Sequence, residues 1–194
     1  QVADIYLEDK IKSSSVQKIP LSTAEMEQFT GVYQGKYLTV KIAAKDSVLY
    51  LNIGTRDYRL TLVDKRKFQL DESLDSVSFS GTRNDQLSFI EYGAQTETYK
   101  RIRDKRAEPR DMSLYTGDYF CKELDARYNI YLHDDSLYLK RNMYDTTSKH
   151  LRFFTEETLF CDFGELRFKV KDGAVKGFSL NADRVINLKF QRIK

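Results

Sequence analysis

The chain states one short phrase twice. Residues 29–33 read FTGVY and residues 115–119 read YTGDY, with Gly31 and Gly117 86 positions apart. The echo continues downstream. DSVLYL at 46–51 is answered by DSLYL at 135–139, and YKRI at 99–102 by FQRI at 190–193. Markers that open and close each half predict two copies of one fold in tandem. A chain of 194 residues has room for two small domains. The expected boundaries are 20–106 for the first copy and 107–194 for the second.

Each copy opens in the same way. Pro20 leads into Ser22-Thr23-Ala24-Glu25, a capping box in which the serine hydroxyl accepts an early helix N–H and the glutamate reaches back. A short helix is expected to run to about Phe29. Gly31 then ends it, because a left-handed backbone costs glycine least. Pro109 and Asp111 through Gly117 repeat the plan in weaker form.

After these openings the hydrophobic period is two, not 3.6. Leu38, Val40 and Ile42 fall on one face, as do Leu49, Leu51 and Ile53, and Tyr58, Leu60 and Leu62. In the second half the same holds for Tyr128, Ile130 and Leu132, for Leu166, Phe168 and Val170, and for Ile186, Leu188 and Phe190. Turn signals at Arg83-Asn84-Asp85, Asp134-Asp135 and Asp172-Gly173 separate the runs. Such short connections require antiparallel hairpins. The 13 Tyr and 12 Phe suit a pleated, half-buried surface.

Seven or eight short strands per copy leave two edges unless the sheet closes. Closure into an up-and-down barrel removes the edges and buries the inward set. The expected fold is therefore all-β: two small antiparallel barrels in tandem, each preceded by a short helix. A barrel of about eight strands encloses space only for its own side chains or one small ligand. The large inward residues favour a filled interior. One larger sandwich made from both halves is the alternative architecture.

Composition excludes several functions. The net charge of +3 is small, and the basic run from Lys100 to Arg106 is interrupted by Asp104 and lies between the copies, so no nucleic-acid partner is expected. No apolar run approaches the ~20 residues needed to cross a bilayer as a helix, and no membrane insertion is expected. Two cysteines, Cys121 and Cys161, support neither a disulfide framework nor a zinc site, which usually takes four ligands, and His133 and His150 alone do not make a multi-histidine centre, so neither a metal nor a cofactor is expected. Whether the two thiols pair is open.

Three short patterns match elements of penicillin-recognising serine enzymes: Ser15-Val16-Gln17-Lys18, Tyr50-Leu51-Asn52 and Lys171-Asp172-Gly173. Each has the wrong surroundings. Ser15 lies in a polar linker close to Pro20 rather than opening a buried helix. Tyr50-Leu51-Asn52 belongs to an alternating strand, and Asp172-Gly173 is a hairpin turn. No catalytic residue is assigned. Glu123, Asp125 and Arg127, in KELDARY, are the weak interaction-site candidates. Paired carboxylates there could do acid–base work in a pocket, whereas an exposed turn would leave them solvated. Val2, Ile5 and Tyr6 would line one face of a short amphipathic helix over residues 1–12, and are candidates for docking on another folded unit.

The quoted segments, especially YTGDYFCKELDARYNIYLHDDSLYLKR and LRFKVKDGAVKGFSLNADRVINLKFQRI, resemble the lipocalin-like C-terminal domains of bacterial β-lactamase-related, penicillin-binding-protein-like serine hydrolases. The resemblance is strong over 108–194 and moderate over 20–103. It implies that residues 1–19 are the closing helix and linker of an upstream catalytic domain, which would be the partner of these barrels. It also implies a non-catalytic accessory role and a periplasmic or cell-envelope setting. The barrels implied are of the up-and-down lipocalin- or streptavidin-like kind, and the alternative function is a free-standing lipocalin-like binder of a small apolar ligand.

Overall fold

The computed structural model describes residues 20–71, 73–91, 94–102, 111–141, 146–182 and 185–193. Helix α1 (Thr23–Glu27) precedes eight strands: β1 (Gly31–Gln34), β2 (Thr39–Lys45), β3 (Val48–Ile53), β4 (Arg56–Asp64), β5 (Lys67–Leu70), β6 (Ser76–Ser80), β7 (Gln86–Glu91) and β8 (Ala94–Ile102). A single 3₁₀ turn (Met112–Tyr115) precedes the second set: β9 (Gly117–Cys121), β10 (Ala126–His133), β11 (Ser136–Lys140), β12 (Lys149–Thr155), β13 (Thr158–Cys161), β14 (Gly164–Lys171), β15 (Ala174–Ala182) and β16 (Val185–Arg192). Each set closes into an antiparallel barrel, β1 pairing with β8 and β9 with β16. The tandem-barrel expectation is met.

Hairpin chemistry sets the register. Asp46-Ser47, Asp134-Asp135 and Asp172-Gly173 all have positive φ at both positions. This is the type I′ geometry, whose twist matches that of the flanking strands.

The interiors are packed. In the first barrel Tyr33, Val40, Ile42, Leu49, Leu51, Phe68, Val77 and Leu87 are at most 2% exposed. In the second, Tyr119, Ile130, Leu137, Leu139, Leu159 and Leu166 are as deeply buried. Removing each such side chain from water contributes about 1.5–3 kcal/mol.

The repeated phrase is explained at the end of each barrel where the chain enters. α1 is capped as its sequence requires: Ser22 N–H donates to Glu25 Oε2 at 2.8 Å, and Glu25 N–H to Ser22 Oγ at 3.4 Å. It buries Met26 and leads to Phe29, whose ring lies 5.0 Å from Phe68 and 4.9 Å from Phe79. Tyr115 fills the corresponding place in the second barrel, 5.0 Å from Phe168. Tyr33 Oη then donates to Phe29 O at 2.8 Å, and Tyr119 Oη to Tyr115 O at 2.7 Å. These bonds tie each plug to the first strand of its barrel.

The closing arginines complete the motif. Arg101 faces Tyr33 and Arg192 faces Tyr119 across the strand pair that closes each barrel. Arg101 donates to the carbonyl of Thr30, and Arg192 to that of Thr116 at 2.5 Å. Gly31 and Gly117 are therefore not left-handed helix stops. They begin β1 and β9 with φ of 149° and 134°, and their missing side chains leave the space that the guanidinium occupies.

Three residues expected to face inward do not. Leu132 (44% exposed), Val170 (40%) and Ile186 (53%) lie near strand ends. A register shift at Lys169/Val170 and positive φ at Asn187 break the alternation next to the latter two.

Candidate functional site

Glu123 and Asp125 lie in the turn between β9 and β10, Arg127 at the start of β10, and all three are exposed. Asp125 has φ of 48°, as the turn requires. Among the described residues their side chains form no ion pair with one another. The structure brings them together only as a solvated hairpin. Tyr50-Leu51-Asn52 lies in β3, with Leu51 in the core, and Lys171 ends β14 just before the Asp172-Gly173 turn. Val2, Ile5, Tyr6, Ser15 and Lys18 fall outside the described residues. Cys121 and Cys161 are free, buried thiols, and burial pushes the Cys161 thiol up to about 11.

The densest polar chemistry lies where the barrels meet. Hairpins alternate between the two ends of a barrel. The β1–β2 and β3–β4 connections therefore lie at the end of the first barrel opposite α1. That end stands on the side wall of the second barrel, on the outward residues of β12, β13 and β14.

At the centre of this seam is Glu165, fully buried on β14 although it points away from its own core. Its Oε2 accepts the backbone N–H of Thr39 at 2.6 Å, and its Oε1 the Thr39 hydroxyl at 3.2 Å. Arg167, two residues on, pairs with Glu165. It also donates to Lys36 O at 3.1 Å and Gly35 O at 3.4 Å. A buried carboxylate persists only when its oxygens are satisfied, and here the β1–β2 connection and Arg167 supply the donors. Burial nevertheless raises the Glu165 carboxyl above its ordinary range, against the opposing pull of Arg167 and Thr39.

Apolar contact flanks the ion pair. Phe154 and Phe160, 6% and 1% exposed, lie outside the second barrel's core cluster, with ring centroids 4.3 Å apart. The Phe160 ring is packed beneath Gly54 of the β3–β4 turn. Arg152 Nη2 donates to Gly54 O at 2.8 Å. The seam therefore has a buried ion pair at its centre, aromatic packing beside it and hydrogen bonds to the chain turns of its neighbour. Chemically it is a joint.

No family model matches the chain, and no curated protein matches it.

Sequence reasoning missed Thr39, Glu165 and Arg167. One signal was available in the repeat. By register, Val77 and Phe79 correspond to Leu166 and Phe168, so Ser76 and Ser78 of the first copy answer Glu165 and Arg167 of the second. Two small hydroxyls replaced by an acid and a base mark a surface that the second barrel uses differently.

Proposed function

We propose that the chain is a non-catalytic accessory module, the tandem-barrel C-terminal part of a β-lactamase-related serine hydrolase. In this reading it packs on the catalytic domain and shapes access to that domain's active site, in a periplasmic or cell-envelope setting. The observation that carries the reading is how the polar chemistry is used. The buried acid–base pair, Glu165 with Arg167, binds barrel to barrel, while both interiors are occupied by their own aromatic and aliphatic side chains. Such a body offers outer surfaces for docking. The sequence resemblance supplies the kind of partner.

Two assays test this. The chain alone, given a chromogenic β-lactam and a p-nitrophenyl ester, is expected to show only background turnover. Added in trans to the separately prepared catalytic domain, it is expected to bind and to shift KM more than kcat, as an effect on access would. Turnover by the isolated chain, or an absence of binding to the catalytic domain, would sink the proposal.

A further inference from the structure

The outer wall of the second barrel carries a groove of about 580 Å³ over β14, β15 and β16. This size falls within the ~300–1,000 Å³ typical of small-molecule sites. Three exposed lysines, one from each strand, line it: Lys169, Lys176 and Lys189. None of the three is ion-paired among the described residues. Arg167 and Arg192 line it as well, and no carboxylate does. In a chain with 32 basic and 29 acidic residues, this is a local segregation of charge.

The backbone builds the groove. Gly177 faces Lys169 on one side and Gln191 on the other. Its missing side chain makes the depression, and a Cβ there would collide with the carbonyl of Phe190. On β14 Lys169 pairs with Gly177 and Val170 with Val175, so Lys176 is the extra residue of a bulge. Bulges re-aim a side chain, and this one turns Lys176 into the groove. The next row across the strands reads Arg167, Ser179, Lys189. In the first barrel the same row reads Ser78, Ser88, Thr98, which is neutral. The row of Lys169, Gly177 and Gln191 answers Ser80, Gln86 and Lys100, so in these two rows the first copy carries Lys100 alone where the second carries Arg167, Lys169 and Lys189.

We propose that this groove binds a compact oligoanionic ligand, one carrying two or more phosphate or carboxylate groups. Ammonium groups from three strands surround a floor with the Ser179 hydroxyl and the Gln191 and Asn187 amides at hand. Charge-assisted bonds from such donors are stronger than neutral ones. The proposal is independent of the accessory-module reading, since it concerns a surface that this chain presents by itself.

The test is an amide-resolved NMR titration of the whole chain at low ionic strength, with tripolyphosphate and with citrate in separate series. The expected result is saturation by one site, with shifts concentrated at Gly177, Ser179 and Gln191. Lys169→Gln with Lys189→Gln should weaken binding at least tenfold, whereas Lys41→Gln with Lys45→Gln should leave it unchanged. All four positions lie on outer strand surfaces, and the spectrum itself reports folding. The tighter of the two anions identifies phosphate or carboxylate as the preferred group. Diffuse shifts near lysines throughout, undiminished binding by the double variant, or binding of a hexaglutamate peptide but neither small anion would overturn the proposal.

Discussion

Arg192 occupies the space that a side chain on Gly117 would need: its Nε lies 3.1 Å from the Cβ position, as Arg101 Nε lies 2.7 Å from that of Gly31. Gly117→Ala is therefore expected to destabilise the second barrel by about 1–3 kcal/mol, through backbone strain and displacement of the guanidinium. Arg192→Ala should relieve this tight contact along with removing the bonds to Leu114 and Thr116, so the double variant should cost less than the two singles together. Urea unfolding measures the cycle. Strict additivity would show that the two residues do not share this space.

The plug tyrosines predict behaviour in alkali. Tyr115 and Tyr119 are pushed up to about 12, chiefly by burial. An unfolded tyrosine titrates near 10. Because the folded values are raised, their contribution is fully present below pH ~10 and is lost as pH rises toward 12. Tyr119→Phe should be less stable at neutral pH by about 1–3 kcal/mol, since it leaves the Tyr115 carbonyl without its donor. Its stability should also fall less steeply than that of the wild type between pH 10 and 12. Parallel curves would contradict the assignment.

Phe160 predicts how the barrels depend on each other. Truncation to Ala should cost about 3–5 kcal/mol, the usual range for a buried phenylalanine. The ring lies outside both core clusters, so neither interior is emptied. The expected change in calorimetry is from one transition to two, each barrel melting separately. A single transition at a lower temperature would place the effect inside a barrel.

Glu165 gives a pH signature of opposite chemistry but the same sign. Its folded carboxyl is raised above the unfolded value of 4.5, so the stability linked to it is greatest below pH 4.5 and declines as pH rises through the folded value. Glu165→Gln lacks this titration. The stability difference between variant and wild type should therefore move in favour of glutamine as pH rises from 4.5. Movement in favour of the wild type would mean that Arg167 and Thr39 outweigh burial.

The barrels were legible because closure depends on local signals that recur in the chain: period-two alternation, I′ turn residues and the repeated opening and closing phrases. The reason for the glycines was not. Only the closed fold sets Arg101 against Gly31 across strands that are 70 positions apart in sequence. The seam was hidden for a related reason. Glu165 and Thr39 read as ordinary outward strand residues, and burial from outside is a property of the neighbouring barrel. The groove lysines, likewise, belong to three separate alternating runs that become one surface only when β14, β15 and β16 are laid side by side.

In both barrels the first and last strands run antiparallel and adjacent, Val32 opposite Ile102 and Tyr119 opposite Arg192. The polypeptide thus enters and leaves each barrel at the same end. Tension applied through the flanking chain would load that pair as an unzipping fork, parting one rung at a time rather than shearing the whole ladder. Each unit is thereby suited to sit as a bead on a longer thread, easy to graft between host segments and weak under a direct pull.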